Sequence, residues 1–168
     1  VSAAYYSIEE GYIRSIIRRK KINDHKGSNG RGLLIAGSYG KMGAAILSGR
    51  GAMRSGLGLL TIHSPHCGYE ILQTAVPEAM VSPDPTEFYF GEVEALPLSS
   101  FHAIGIGPGI DQKPKTFAAF SELLQKVDKP LIIDADALNI LSSHQELLGS
   151  VPRNSILTPH HKEFERFV

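Results

Sequence analysis

Residues 31–64 read "RGLLIAGSYGKMGAAILSGRGAMRSGLGLLTIHS". The apolar run in "RGLLIAG" (31–37) enters a glycine turn and reads as a strand buried on both faces. "MGAAILSGRGAMRSG" (42–56) follows as a helix rich in small residues and stopped by Gly56, and "GLLTIHS" (58–64) as the next strand. The same alternation continues on the C-terminal side. "CGYEILQTA" (67–75) reads as a helix, "HAIGIG" (102–107) as a buried strand, and "PKTFAAFSELLQKV" (114–127) as an amphipathic helix. "PLIID" (130–134) and "SILT" (155–158) are two more strands, each with a helical pattern after it. Residues 77–100 carry prolines and short apolar pieces, which predict brief strands and a loop. On the N-terminal side, Ser7 and Glu10 have capping-box spacing, and Ile8, Tyr12, Ile13, Ile16 and Ile17 predict a helix over about 8–20. Strands alternating with helices define an α/β fold around a mostly parallel sheet.

Bulk properties exclude several function classes. The chain has 168 residues, enough for one domain with a core of its own. Seventeen basic and seventeen acidic residues cancel, so the footprint of a nucleic-acid binder is missing. The one basic run, Arg18-Arg19-Lys20-Lys21, closes a helical pattern, where cations complement the helix dipole. A single cysteine, Cys67, cannot form a disulfide within the chain. No apolar run reaches membrane-spanning length and no signal-peptide pattern opens the chain, so a cytoplasmic protein without membrane contact is expected. A first residue of Val instead of Met predicts a preceding segment or a removed leader.

Four strand ends carry special segments: "GSYGKMGAA" (37–45), "GIGPGI" (105–110), "DADALN" (134–139) and "TPHHKEF" (158–164). A parallel sheet brings them to one edge, where open α/β sheets bind ligands. The first is not a Walker A loop, since Ile35 and Met42 stand where Gly and Ser or Thr are required. Gly43 and Ala44 nevertheless open a helix whose N–H groups favour anions. The second fails the Rossmann pattern at Ile110, but Gly107 and Gly109 offer bare backbone to a flat ring or a sugar. In "DADALN", Asp136 is expected to cap the following helix and Asp134 to face the shared edge. His160 and Glu163 fall on one helical face, and Asp134 with Glu163 suits magnesium held through water better than zinc.

Together these stretches resemble the ribokinase-like NAD(P)H-hydrate dehydratases. The resemblance rests on "HKGSNGRGLLIAGSYGKMGAAILSGRGAMRSGLGLLTI" (25–62), "PEAMV" (77–81), "IGIGPG" (104–109), "PLIIDADALNIL" (130–141) and "ILTPHHKEF" (156–164). It implies a three-layer α/β/α ribokinase-like domain over 1–168, and repair of hydrated NADH or NADPH using magnesium and ADP or ATP. By position, Gly43, Ala44, Gly109 and His160 would line the substrate site, and Glu163 would organise magnesium and phosphate. His160 stands where the ribokinase-like Asn-x-x-Glu motif begins with Asn. The family's Gly-Thr-Gly-Asp, with its expected catalytic Asp, does not occur in these 168 residues. No catalytic base is therefore assigned, and the domain is expected to be incomplete at its C-terminus. The resemblance also implies a homo-oligomer and an epimerase domain ahead of Val1. Two other readings stay open: a ribokinase-like kinase acting on a vitamin precursor, and a non-catalytic nucleotide-binding fragment.

Overall fold

The computed structural model describes residues 7–17, 22–23 and 25–167. Its six strands are β1 (Arg31–Ile35), β2 (Leu59–Pro65), β3 (Met80–Asp84), β4 (Ala103–Ile106), β5 (Leu131–Ile133) and β6 (Ile156–Leu157). They form one sheet in the order β3-β2-β1-β4-β5-β6, and every neighbouring pair is parallel. The chain winds outward from β1 to β3, then returns to β4 and winds the other way. The order therefore reverses between β1 and β4, a topological switch point.

Side-chain alternation along β1 assigns its residues to two layers. Leu33 and Ile35 pack with Ile104, Ile106, Leu131 and Ile133 against helices α4 (Pro114–Lys126) and α5 (Ala135–Ser143). Leu34 and Ala36 pack with Leu60 and Ile62 towards α2 (Met42–Arg54) and α3 (Tyr69–Ala75). Helices on both faces make the three-layer α/β/α arrangement. In α4 the buried residues Thr116, Ala119, Phe120, Leu123 and Leu124 recur at helical spacing, and Pro114 sits in the first turn, where its missing N–H costs nothing. The small residues of α2 present Met42, Ala45 and Gly49 to the sheet. Towards the far edge, Ile132 and Ile156 remain exposed.

Two local expectations need correction. Helix α1 covers only Glu10–Ile16, with Glu9 at its N-cap position and no side-chain cap, so Ser7 and Glu10 do not form a capping box. The basic run at 18–21 lies outside the described residues. Helix α5 starts two residues earlier than expected. Asp134, not Asp136, occupies its N-cap position, again without a side-chain cap. Asp136 is left in the first helical turn, free to bond elsewhere.

Candidate functional site

The four special segments do meet at the carboxyl edge. The N–H of Gly37 donates to Pro108 O at 2.8 Å, joining the loops after β1 and β4 at the switch point. The N–H of Asp134 donates to Ile106 O at 3.0 Å, and that of Thr158 to Ile133 O at 3.1 Å.

The "GIGPGI" turn needs its glycines for space and for backbone conformation. At Gly107, φ is +132° and a Cβ would fall 1.8 Å from Asp134 O. At Gly109, φ is +67° and a Cβ would stand 3.0 Å from both Ala44 Cβ and Lys41 O. Gly109 thus lies against the start of α2, beside Gly43 and Ala44. Lys41, the N-cap residue of that helix, makes no side-chain cap. On the same loop, Ser38 is 2% exposed and its hydroxyl has no partner among the described residues. A buried unpaired hydroxyl is rare enough to mark a place for a polar ligand group.

Asp136 organises the charge at this edge. One of its oxygens, Oδ2, accepts the Asp111 N–H at 2.9 Å and lies 3.3 Å from Lys41 Nζ. Lys41 Nζ is also 3.6 Å from Asp111 Oδ1. The Gln112 N–H donates to the Asp111 carboxylate at 2.8 Å and holds its pKa below the usual range, with Lys41 and Lys113 adding to the effect against burial. Asp111 and Ala135 both have positive φ, 68° and 49°. Such strain in non-glycine residues gathers at sites whose geometry is held from outside. Lys41 and Asp111 carried no signal in the sequence beyond lying next to glycine turns.

Asp134 Oδ1 accepts from Thr158 Oγ1 at 2.9 Å. Both residues line the upper end of an apolar hollow of about 610 Å³ along the α2 face of the sheet, and Asp134 is the one charged residue in its lining among the described residues. Phosphate-bearing groups therefore fit the rim of the edge, not the hollow.

His160 is the N-cap of the short helix α6 (His161–Phe164). Its Nδ1 accepts from the Lys162 N–H at 3.2 Å, so the proton sits on Nε2, which lies 3.2 Å from Glu163 Oε1. Glu163 Oε2 accepts the His160 N–H at 3.0 Å, and the carboxylate is buried. The pair closes a capping box. Beyond it, Arg166 Nη1 donates to Asn139 Oδ1 and ties α6 to α5. No group of three or more His, Cys, Asp or Glu among the described residues could hold a metal ion by itself.

Comparison with solved structures places the fold. A ribokinase-like superfamily protein from Enterococcus faecalis superposes with a TM-score of 0.82 over 99% of this chain and 59% of its own, at 24% identity. An ADP/ATP-dependent NAD(P)H-hydrate dehydratase from Bacillus subtilis, co-crystallized with ATP/Mg2+, gives 0.72 over 95% of this chain and 55% of its own, at 32% identity. By sequence, the chain is 36% identical over 157 residues to the ADP-dependent (S)-NAD(P)H-hydrate dehydratase of Bacillus subtilis, covering 94% of this chain and 54% of that protein. It is 34% identical over 164 residues to the bifunctional NAD(P)H-hydrate repair enzyme Nnr of Moorella thermoacetica, covering 94% of this chain and 31% of that protein. The chain thus spans between about a third and about half the length of these relatives. The family model for NAD(P)H-hydrate dehydratase matches residues 32–168, and the chain belongs to that family.

Proposed function

We propose that this chain forms the substrate side of an enzyme that restores hydrated NADH or NADPH to NADH or NADPH at the expense of ADP or ATP. The observation behind this reading is the joining of the "GSYGKMGAA" and "GIGPGI" loops at the switch point, with Lys41 and Asp136 across its mouth. In the proposed reaction the ring hydroxyl attacks the terminal phosphorus of the donor, which leaves one phosphate shorter. Phosphate is a far better leaving group than water. The ring nitrogen's lone pair expels it, a neighbouring proton is lost, and the double bond returns. Such chemistry depends mainly on positioning and on offsetting phosphate charge.

The residues divide this work by location. Gly43, Ala44, Gly107 and Gly109 let backbone approach the substrate closely, and His160 presents an exposed ring from the segment after β6. Lys41 and the uncapped start of α2 supply positive potential for phosphate. Asp134 and Glu163 are hard oxygen donors and suit magnesium, which is commonly held by one or two carboxylates together with substrate phosphates and water. Magnesium, when bound, would neutralise charge on the transferring phosphoryl group. No residue of this chain is assigned as the base. Cytoplasmic location, self-association and an epimerase domain ahead of Val1 belong to the same proposal, supported by the bifunctional relatives for the last point.

The test is nicotinamide absorbance after mixing the protein with hydrated NADH, magnesium, and ADP or ATP in parallel. Recovery with either donor is expected from the enzyme of which this chain forms the substrate side. Binding of NADPH without any recovery would leave a nucleotide-binding fragment and overturn the catalytic reading.

A further inference from the structure

A buried polar pair joins β2 to β3 away from the residues assigned above. His63 is 3% exposed and Asp84 is fully buried. His63 Nε2 lies 3.1 Å from Asp84 Oδ2, and its Nδ1 lies 3.3 Å from Ser82 Oγ. The Asp84 carboxylate also accepts three backbone N–H groups from the segment that follows it: Thr86 at 2.8 Å, Gly91 at 2.9 Å and Glu92 at 3.1 Å. Four donors on one carboxylate fold residues 84–92 back over the sheet edge. Phe90 is packed beneath, its ring edge-on to His63 with centroids 5.8 Å apart.

That segment in turn holds the glycine loop. The Tyr39 N–H donates to Phe88 O at 2.8 Å, and the two rings meet edge to face at 5.2 Å. The N–H groups of His66 and Cys67 donate to Thr86 O and Glu87 O, both at 3.0 Å, and fasten the segment to the end of β2. A continuous set of contacts thus runs from His63 and Asp84 to Tyr39, which lies between Ser38 and Gly40 in the crevice loop.

We propose that His63 and Asp84 are a positioning pair that sets the glycine loop of the crevice, acting through residues 84–92. Stability alone gives little reason for such a pair, because apolar residues of similar volume often replace buried ionic groups without loss. What apolar residues would not supply is an acceptor for three backbone N–H groups of one loop. The functional consequence rests on the reading that this loop takes the nucleotide.

Amide exchange measured by NMR on the full chain, with NADPH titration alongside, tests the proposal in Asp84→Asn and in the milder His63→Gln. The expected result is exchange at Tyr39, Gly91 and Glu92 accelerated at least about tenfold beyond any change at Leu34 in the core, with several-fold weaker NADPH binding. Faster exchange at Gly91 with Tyr39 unchanged would overturn it, since the pair would then hold only its own loop. Equal acceleration at Leu34 would do the same, since the role would then be general stability. If Asp84→Asn does not fold, His63→Gln decides. Absence of NADPH binding to the unaltered protein would count against the proposed function, while exchange at Tyr39 would still decide the positioning role.

Discussion

Lys41 and Asp136 are 95 residues apart in sequence, yet Lys41 Nζ lies 3.3 Å from Asp136 Oδ2 across the carboxyl edge of the sheet. The same oxygen receives the Asp111 N–H. One carboxylate atom therefore joins the segments that follow β1, β4 and β5. The lysine side chain is 46% exposed, so the pair is a weak source of stability, about 0–1 kcal/mol. Its more consequential effect is to hold a cation at the lip of the crevice, where phosphate charge is expected.

Lys41→Met should therefore separate binding from stability. Loss of a half-exposed pair should lower Tm by no more than about 4 °C for a chain of this size. Affinity for ATP with magnesium should fall about tenfold, equivalent to about 1.4 kcal/mol. A thermal melt and an isothermal titration on the same preparation measure both. A large drop in Tm with unchanged affinity would show that Lys41 is structural.

The two glycines of the "GIGPGI" turn should respond unequally to alanine. At Gly107 the new Cβ would collide with the Asp134 carbonyl, which is backbone and cannot swing away. Combined with its φ, this should destabilise the protein by roughly 3 kcal/mol or more. At Gly109 the nearest atoms stand at 3.0 Å and need give by only tenths of an ångström, and the left-handed conformation costs roughly 1–2 kcal/mol. Urea midpoints measure the difference, and equal losses at the two positions would contradict it.

Much of this architecture was legible because strands buried on both faces leave a distinct pattern. Short apolar runs such as Leu33–Ile35 and Leu131–Ile133, closed by glycine or aspartate, are too brief for a helix, and the helical patterns between them supplied the layers. The meeting of four strand ends also followed from parallel order. Asp136 was misassigned as a cap because the helix begins two residues earlier than the sequence pattern suggests. Ala135 adopts positive φ and starts α5 early, which sends Asp136 to Asp111 and Lys41. The His63–Asp84 pair was illegible on different grounds. Its partners lie on adjacent strands and in an irregular proline-bearing segment, where spacing carries no register.

Asp134→Ala should impair turnover or magnesium binding more than folding. The hydrogen bond from Thr158 Oγ1 is the side-chain partner it would lose, worth about 1 kcal/mol. Removing a carboxylate from the upper end of the hollow should reduce turnover at least about tenfold if Asp134 helps to hold magnesium. Melting temperature and NADH recovery, measured side by side, decide this. Parallel losses in both would assign Asp134 to folding alone.

Asp84 should shape the acid limb of stability. Burial by itself pushes its carboxyl up, but the hydrogen bonds from His63 and the Gly91 and Thr86 N–H groups together outweigh it, so the pKa lies below the ordinary 3.8. The folded state therefore favours the ionised form. Its contribution is fully present above the unfolded value and is lost as pH falls through the lower folded value. Asp84→Asn should cost about 1–3 kcal/mol at neutral pH, because a charged acceptor of several hydrogen bonds is replaced by a neutral one. The gap between the two proteins should narrow below about pH 4 as the native carboxylate is protonated. Urea midpoints at each pH provide the comparison. A gap that persists unchanged into strong acid would mean that shape, not charge, is what Asp84 contributes.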